Sequence, residues 1–200
     1  GTSFCYDGKM QIIGKSFCQD YNIIEFSAGR FKCRTDYDLL HNSDEEILEA
    51  VTFATKEYVI NNGFRKVILG LSGGIDSALV AYIAVRALGK ENVIAYMLPF
   101  KYTSTESIDD ALELSLNLGI RLHNIPIDGI YNAFDSSLEQ YMHSNTHSIT
   151  FQNLQSRIRG TILMALANEN NALLLTTGNK SEYAVGYATI YGDMNGAFNP

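Results

Sequence analysis

The residues best suited to chemistry lie in Ser72-Gly73-Gly74-Ile75-Asp76-Ser77. Two adjacent glycines allow backbone conformations closed to other residues and leave amide groups accessible to a ligand. Accessible amides at the start of a helix form a positive concavity that suits an anion. The two serine hydroxyls add donors, and Asp76 places a carboxylate where a divalent cation could bridge to phosphate oxygens. The pattern predicts a nucleotide phosphate site.

The loop differs from two common phosphate-binding motifs. No lysine follows its glycines, as the Walker motif requires, and the dinucleotide spacing Gly-x-Gly-x-x-Gly is absent. Gly70-Leu71-Ser72-Gly73-Gly74 does fit Gly-x-Ser-x-Gly, the nucleophile elbow of α/β-hydrolases. That interpretation gives Asp76 no role, and the earlier strands of a hydrolase sheet are missing upstream. A glycine-rich turn without a ligand is the other alternative.

A second polar cluster lies in residues 151–168. Asn153, Gln155, Arg157 and Arg159 interrupt an otherwise apolar helical pattern. Arginine and amide side chains can hold a phosphate or a carboxylate through paired hydrogen bonds. A solvated polar helix face is the alternative for the same residues.

A third cluster, Thr176 to Glu182, follows an apolar run over residues 171–175. It repeats the order of the first loop: a strand, a glycine turn, then a helix start with hydroxyls and a carboxylate. If the two strands are neighbours in one sheet, Glu182 and Asp76 can share one cation. The following stretch, Gly186 to Asp193, is too rich in glycine and tyrosine for a core helix. A loop lining a planar ligand fits it better.

Strands and helices alternate around these clusters. Buried strands are predicted over residues 67–71, 92–98, 121–127 and 171–175. Helices are predicted over residues 43–63, 75–88, 103–118, 131–141 and 151–168, the third capped by Thr103 with Glu106. Two apolar stripes are predicted to be buried, Ile47, Val51, Ala54, Tyr58 and Ile108, Ala111, Leu112, Leu116. The order predicts an α/β fold, a mostly parallel sheet with helices on both faces and ligands at the carboxyl ends of the strands.

Composition excludes several classes of protein. The 200 residues are 46% hydrophobic, which suits one globular domain with an appendage. A net charge of −7 and a pI near 5.0 argue against a nucleic-acid surface. No apolar run reaches the roughly 20 residues of a membrane span, and the N-terminus lacks the plan of a signal peptide. We therefore expect a cytoplasmic protein that binds neither nucleic acid nor membrane.

Residues 1–40 have a different sequence pattern from residues 41–200, with short strand-like runs in place of alternating strands and helices. Short strand-like runs at 3–6 and 9–13 flank the hairpin signal Asp7-Gly8, and residues 22–26 are a third strand candidate. Three strands of this size cannot enclose a core. They predict the end of a larger β-rich unit, followed by a polar linker over residues 31–42. Gly1-Thr2-Ser3-Phe4, Asp7-Gly8 and Ile12-Ile13 resemble the last strands of nitrilase-like amidase domains.

In combination, the motifs resemble the NAD synthetase family, one of the ATP-pyrophosphatase or pyrophosphate-loop families. The matching strings are Ser-Gly-Gly-Ile-Asp-Ser, Asn-Leu-Gln-Ser-Arg-Ile-Arg, Thr-Thr-Gly-Asn-Lys-Ser-Glu and Tyr-Gly-Asp, within residues 43–200. The resemblance implies an adenine nucleotide alpha hydrolase-like fold. It also implies amidation of deamido-NAD to NAD through an acyl-adenylate, with ATP and Mg²⁺, in a homo-oligomer. The N-terminal strands match the glutamine-dependent form, where an amidase domain supplies ammonia from glutamine.

The resemblance also implies roles for single residues. ATP would be held by Ser72, Gly73, Gly74, Ile75, Asp76, Ser77 and Thr177. Catalysis and Mg²⁺ binding would rest on Asp76 and Glu182. Deamido-NAD would be held by Asn153, Arg157, Arg159, Glu182, Tyr187 and Asp193.

Two positions depart from the ammonia-using members of that family. Those members have an arginine near the end of the second strand and a lysine before Tyr-Gly-Asp, where this sequence has Met97 and Ile190. Both differences favour the glutamine-dependent branch. We expect these 200 residues to be part of a longer chain that carries the glutaminase residues. Another adenylating ligase of the pyrophosphate-loop class and an inactive nucleotide-binding fragment stay open as alternatives.

Overall fold

The computed structural model describes residues 3–33, 43–141 and 148–200, which belong to two compact units, Gly1–Phe53 and Ala54–Pro200. The strands are β1 (Phe4–Tyr6), β2 (Met10–Ile12), β3 (Ile24–Ser27), β4 (Arg30–Cys33), β5 (Val67–Gly70), β6 (Val93–Met97), β7 (Arg121–Asn124) and β8 (Leu173–Leu174). The α-helices are α1 (Ser43–Asn61), α2 (Ile75–Leu88), α3 (Thr105–Leu118), α4 (Asp128–Leu138), α5 (Ile149–Glu169) and α6 (Lys180–Val185). None of the helices in these described ranges combines the length and apolarity that a bilayer crossing requires.

A four-stranded sheet in the order β7-β6-β5-β8 organises the second unit. Every strand pair in it is parallel. β5 lies between β6 and β8, with Val67 opposite both Val93 and Leu173. The prediction of a parallel α/β sheet is confirmed. β8 is also the neighbour of β5, which is the arrangement that a shared site for the loops after these two strands requires.

Helices cover both faces of this sheet, because alternate residues of each strand point to opposite sides. Leu69 and Ala95 face one side and pack in a core with Ala81 and Ala84 of α2. Ile68 and Tyr96 face the other side. They are packed with residues of α5 such as Ala167 and Met164. The predicted helices on both faces are thus confirmed.

The predicted cap of α3 is wrong, and its predicted buried stripe is right for Ala111 and for Ile108, which packs against the core, but wrong for Leu112 and Leu116. The helix is capped by Ser104, whose Oγ accepts a hydrogen bond of 3.1 Å from the Ser107 N–H, while Thr103 accepts one from the Phe100 N–H. The buried residues are Ala111 and Ser115, whereas Leu116 is 79% exposed. Small residues face inward because they let the helix lie close to its neighbours.

The predicted stripe of α1 is also rotated away from the buried face. Thr55 and Val59 are fully buried. Ile47 and Tyr58, which were predicted to face the core, are exposed. The apolar residues of this helix are spread around its axis, so that their spacing alone does not select the packed face.

The described part of the first unit contains two β-hairpins and the first residues of α1. β1 pairs antiparallel with β2 across the predicted turn at Asp7-Gly8, which confirms that hairpin. β3 pairs antiparallel with β4, a strand that overlaps the predicted linker. Its turn places both Ala28 and Gly29 at positive φ, and an alanine there gives no sequence signal for such a turn. Residues 34–42 of the predicted linker lie outside the described residues.

Candidate functional site

The predicted phosphate loop leaves the carboxyl end of β5, near the middle of the sheet. The Leu71 N–H still donates to the Tyr96 carbonyl of β6 at 2.9 Å, and Ser72 is the first exposed residue beyond it. α2 starts at Ile75 after Gly74, which caps it without a side-chain hydrogen bond. The first amides of a helix have no acceptor within the helix. This helix start therefore has backbone donors to which an anion could hydrogen-bond.

The buried hydroxyl of Ser77 stabilises this loop through hydrogen bonds to its backbone. Its side chain is 2% exposed, accepts a hydrogen bond from the Ser72 N–H at 3.2 Å, and donates one to the Gly74 carbonyl at 2.9 Å. The exposed Ser72 hydroxyl lies 3.1 Å from it and accepts from the Gly74 N–H. Both hydroxyls were predicted to face ATP. In the structure, Ser72 faces outward and Ser77 holds the turn together.

Gly73 occupies the position in the turn where a residue with a side chain does not fit. Its φ is +83°, and a Cβ atom added there would lie 2.8 Å from the Ser107 Cα of α3. Gly74 has an ordinary extended backbone, with φ −85° and ψ 158°. The positive φ and the close helix explain one glycine of the pair, and the second keeps the amide edge open.

A cavity of about 700 Å³ lies at the carboxyl edge of the sheet. Its walls come from the ends of β5 and β6, from α5, and from residues 186–196, which we call the closing stretch. Five predicted site residues line it: Ser72, Asn153, Arg159, Tyr187 and Asp193. The other predicted residues lie outside the set that lines this cavity: Gly73, Gly74, Ile75, Asp76, Ser77, Arg157, Thr177 and Glu182.

Sequence reasoning missed several residues that line the cavity. From α5 these include Gln152, Ser156 and Gly160, which stand beside Asn153 and Arg159 on one polar helix face. Their spacing of three and four residues was a usable signal for that face. Thr176 and Asn195 also line the cavity, and no spacing rule would have selected them.

Arg159 is the one cationic side chain among the described residues that line the cavity. Its Nε–H donates a hydrogen bond of 2.9 Å to the carbonyl oxygen of Leu98, the residue after β6. Burial lowers the pKa of Arg159 from its ordinary value, because water solvates the charge less well there. An arginine nevertheless keeps its proton at neutral pH.

The closing stretch is held against α5 by side chains that were predicted to bind substrate. Thr189 Oγ1 donates to Asn153 Oδ1 at 2.9 Å, and Arg157 Nε donates to the Ile190 carbonyl at 3.2 Å. Asp193 accepts a hydrogen bond of 2.8 Å from the Thr189 N–H. The predicted loop is confirmed, and it lines the cavity. Its polar residues hold one another as well as facing that space.

Two backbone segments also approach closely at this contact. A Cβ atom on Gly160 of α5 would lie 2.7 Å from the Gly192 carbonyl oxygen, and Asn195 donates to the Gly160 carbonyl at 2.9 Å. The Asp193 N–H donates to Ser156 Oγ at 3.0 Å. The glycines explain why the closing stretch can lie directly on the helix.

The two predicted metal ligands stand at equivalent positions after neighbouring strands. Asp76 is in the first turn of α2, beyond β5. Glu182 is in the first turn of α6, beyond β8. Glu182 forms a capping box with Asn179, in which Glu182 Oε2 accepts from the Asn179 N–H at 3.1 Å. Its second carboxylate oxygen has no such bond in the described structure.

The donor set fits Mg²⁺ bound together with a nucleotide. Within the described ranges, no group of three or more His, Cys, Asp or Glu side chains could hold a metal ion by itself. Mg²⁺ is commonly held by one or two carboxylates together with substrate phosphates and water. Asp76 and Glu182 meet that requirement if a phosphate lies at the start of α2.

Comparisons with known proteins agree with this architecture. The family model described as NAD synthase matches residues 47–200. The glutamine-dependent NAD(+) synthetase of Synechocystis sp. is 46% identical over 200 residues, covering 98% of this chain and 36% of that protein. The chain spans about a third of the length of the curated relatives it matches.

Solved structures give the same result. Glutamine-dependent NAD+ synthetase from Acinetobacter baumannii, in complex with ADP, has a TM-score of 0.83 at 44% identity, covering 88% of this chain and 34% of that one. NH3-dependent NAD synthetase from Campylobacter jejuni, in complex with the nitrate ion, has a TM-score of 0.71 at 40% identity. That match covers 78% of this chain and 66% of the other.

Proposed function

This chain belongs to the NAD synthase family, and on that premise we propose that it carries the ATP-dependent amidation of deamido-NAD to NAD. The observation that carries the proposal is the pairing of β5 with β8. It brings the loop of Ser72 and the loop of Glu182 to the same edge of the sheet, beside a cavity large enough for a nucleotide.

The reaction takes place in two steps. An oxygen of the nicotinate carboxylate forms a bond to the α-phosphorus of ATP, and pyrophosphate leaves with the electron pair of the broken P–O bond. Ammonia then forms a bond to the acyl carbon, and AMP leaves with the electron pair of the C–O bond. The nitrogen releases one proton, which is accepted by water. Neither step requires a covalent bond to the protein.

The protein's part in these steps is alignment and charge neutralisation. We assign the pyrophosphate of ATP to Ser72, Gly73, Gly74 and the amides of Ile75, Asp76 and Ser77. Asp76 and Glu182 would hold Mg²⁺, which offsets the negative charge that develops on the departing pyrophosphate. Thr177, between β8 and α6, completes the nucleotide side of the site.

Deamido-NAD would lie against the closing stretch and α5. Asn153, Arg157, Tyr187 and Asp193 are assigned to it. Hydrogen bonds of Asn153, Arg157 and Asp193 hold the closing stretch beside the cavity. The family pattern places Arg159 and Glu182 in the same group. Ammonia would come from glutamine in a longer, homo-oligomeric enzyme, with residues 1–40 as the end of its amidase domain and 41–200 as its synthetase domain.

A direct assay tests this function. The full chain is incubated with deamido-NAD, ATP, Mg²⁺ and ammonium, and NAD, AMP and pyrophosphate are quantified. We expect the three products in equal amounts. Asp76→Asn should strongly lower the rate of NAD formation while leaving the free energy of unfolding nearly unchanged, because the substitution removes the charge and keeps the shape of the side chain.

Two outcomes would contradict the proposal. Nucleotide binding without any NAD would support a binding role. AMP formation without NAD, in the presence of other carboxylate substrates, would support another adenylating ligase. An Asp76→Asn variant with full activity would separately remove Asp76 from the site.

A further inference from the structure

Arg159 carries a positive charge into the cavity with part of its hydrogen-bonding capacity unused. Its Nε–H is bound to the Leu98 carbonyl at 2.9 Å. Over the parts of the chain that the structure describes, no carboxylate or carbonyl oxygen accepts from its terminal Nη groups. The one carboxylate among the described cavity residues is Asp193, which accepts from the Thr189 N–H.

Such an arrangement favours an anionic ligand. Placing a charged group in a partly buried position costs solvation free energy unless an opposite charge or hydrogen-bond acceptors replace the water. The lowered pKa of Arg159 reflects that loss of solvation. An oxyanion in the cavity would compensate for the lost solvation of Arg159. The planar guanidinium can donate to two oxygens of one phosphate or carboxylate.

The position of Arg159 indicates which end of the cavity this oxyanion occupies. Its anchor, Leu98, lies two residues beyond Tyr96, and the Tyr96 carbonyl accepts from Leu71, the residue before Ser72. The anchor is therefore at the β5–β6 edge, next to the start of the phosphate loop. Arg157 instead donates to Ile190 in the closing stretch.

Helix geometry separates the two arginines further. Residues two apart on an α-helix project about 200° from each other. Asn153 and Arg157 lie four residues apart, share one face, and hold the closing stretch. Arg159 lines the cavity and Arg157 does not, so the arginines do not serve as a pair for one group.

We propose that Arg159 binds the α-phosphate of the nucleotide, the group that reacts, rather than deamido-NAD. This inference rests on the proposed function, and it revises the role that the family pattern gave to Arg159. The loop at Ser72 holds the part of ATP that leaves, and Arg159 holds the part that stays as AMP. Arg159 would then stabilise the charge on the α-phosphate while the nicotinate oxygen attacks it.

Binding of the separate fragments tests the proposal without turnover. Dissociation constants of AMP, adenosine and pyrophosphate are measured by calorimetry for the full chain and for Arg159→Met and Arg159→Lys. We expect the wild type to prefer AMP to adenosine, and Arg159→Met to reduce that preference by about ten- to a hundredfold. Pyrophosphate affinity should change less than about twofold, because the loop at Ser72 binds it.

Arg159→Lys separates ligand binding from a purely structural role. A lysine keeps the charge and one donor for the Leu98 carbonyl but loses the planar fork. We expect it to restore the urea midpoint while the preference for AMP stays reduced. Arg86→Met, on α2 and outside the cavity lining, is the matched control and should leave all three affinities unchanged.

Each other result overturns the assignment. If Arg159→Met keeps the wild-type ratio of AMP to adenosine affinity, or if the wild type shows no such preference, Arg159 does not bind the α-phosphate. If deamido-NAD binding falls while the AMP preference is retained, the oxyanion belongs to deamido-NAD. Formation of NAD by the wild type is scored separately, so that failure of this inference and failure of the proposed function are distinguishable.

Discussion

Arg157 Nε donates a hydrogen bond of 3.2 Å to the carbonyl oxygen of Ile190, so a side chain predicted to bind substrate also holds the loop that covers it. The same is true of Asn153, which accepts from Thr189 Oγ1. The residues to which we assign deamido-NAD therefore also hold the closing stretch in place. A change at Asn153 therefore alters both the wall of the cavity and the hold on the closing stretch, whereas a change at Arg157 alters the hold alone.

The first prediction concerns the hydrogen bond between Arg157 and Ile190. Arg157→Met removes the hydrogen bond to Ile190 and should speed amide hydrogen exchange in residues 186–196 several-fold, because the closing stretch then opens more often. The measurement is hydrogen exchange followed by mass spectrometry without ligand. Thr161→Ala is the control. Its hydroxyl donates to the Arg157 carbonyl within α5, away from the stretch, and exchange in residues 186–196 should stay at the wild-type rate.

The second prediction distinguishes the two glycines of the phosphate loop. Gly73→Ala forces an alanine to a φ of +83° and places its Cβ against the Ser107 backbone, so we expect the free energy of unfolding to fall by about 2–5 kcal/mol. Gly74→Ala has a compatible backbone and should stay within about 1 kcal/mol of wild type. Urea unfolding of both variants provides the comparison. Equal losses would show that the contact with α3 does not limit this turn.

The third prediction assigns different roles to the two serines. Ser77→Ala removes the buried hydroxyl that accepts from the partly buried Ser72 N–H and donates to the Gly74 carbonyl, which should cost about 1–3 kcal/mol of stability. Ser72→Ala alters an exposed side chain and should lower ATP affinity with little change in unfolding. Urea titration and calorimetry with ATP measure the two effects. The assignment is wrong if Ser72→Ala is the less stable variant.

Sequence patterns identified the order of the elements in the parallel sheet because that order depends on local signals. The phosphate-loop helix has the predicted bounds, Ile75–Leu88, since a glycine turn starts it and a glycine ends it. The inward position of Ser77 was also accessible, because it shares a helical phase with the buried Val80, Ala81 and Ala84.

The remaining features depend on contacts between distant segments. In α3 the small residues Ala111 and Ser115 are buried, whereas Leu112 and Leu116 of the predicted stripe are exposed. β4 follows a turn with an alanine at positive φ, which no turn rule predicts. The link from Arg159 to Leu98 joins residues 61 positions apart, and only the folded sheet brings them together.

The last prediction separates the two roles of Glu182. Its carboxylate accepts from the Asn179 N–H in the capping box of α6, and we propose that it also binds Mg²⁺. Glu182→Gln keeps an oxygen acceptor for the cap but removes the charge that the metal requires. We expect its stability to match the wild type, while the Mg²⁺ concentration for half-maximal NAD formation rises about tenfold or more. Glu182→Ala should raise the Mg²⁺ requirement in the same way. Its free energy of unfolding should also fall by about 0.5–2 kcal/mol, because the side-chain half of the capping box is lost.

Asp76→Asn completes this comparison, because Asp76 stands in the first turn of α2 and belongs to no side-chain cap there. We expect it to raise the Mg²⁺ requirement as Glu182→Gln does and to leave urea unfolding unchanged. If the two carboxylates share one ion, the double variant should be little worse than either single one, since the second change removes a ligand from a site already lost. Fully additive effects on the Mg²⁺ requirement would show that Asp76 and Glu182 act on separate ions or that one of them binds none.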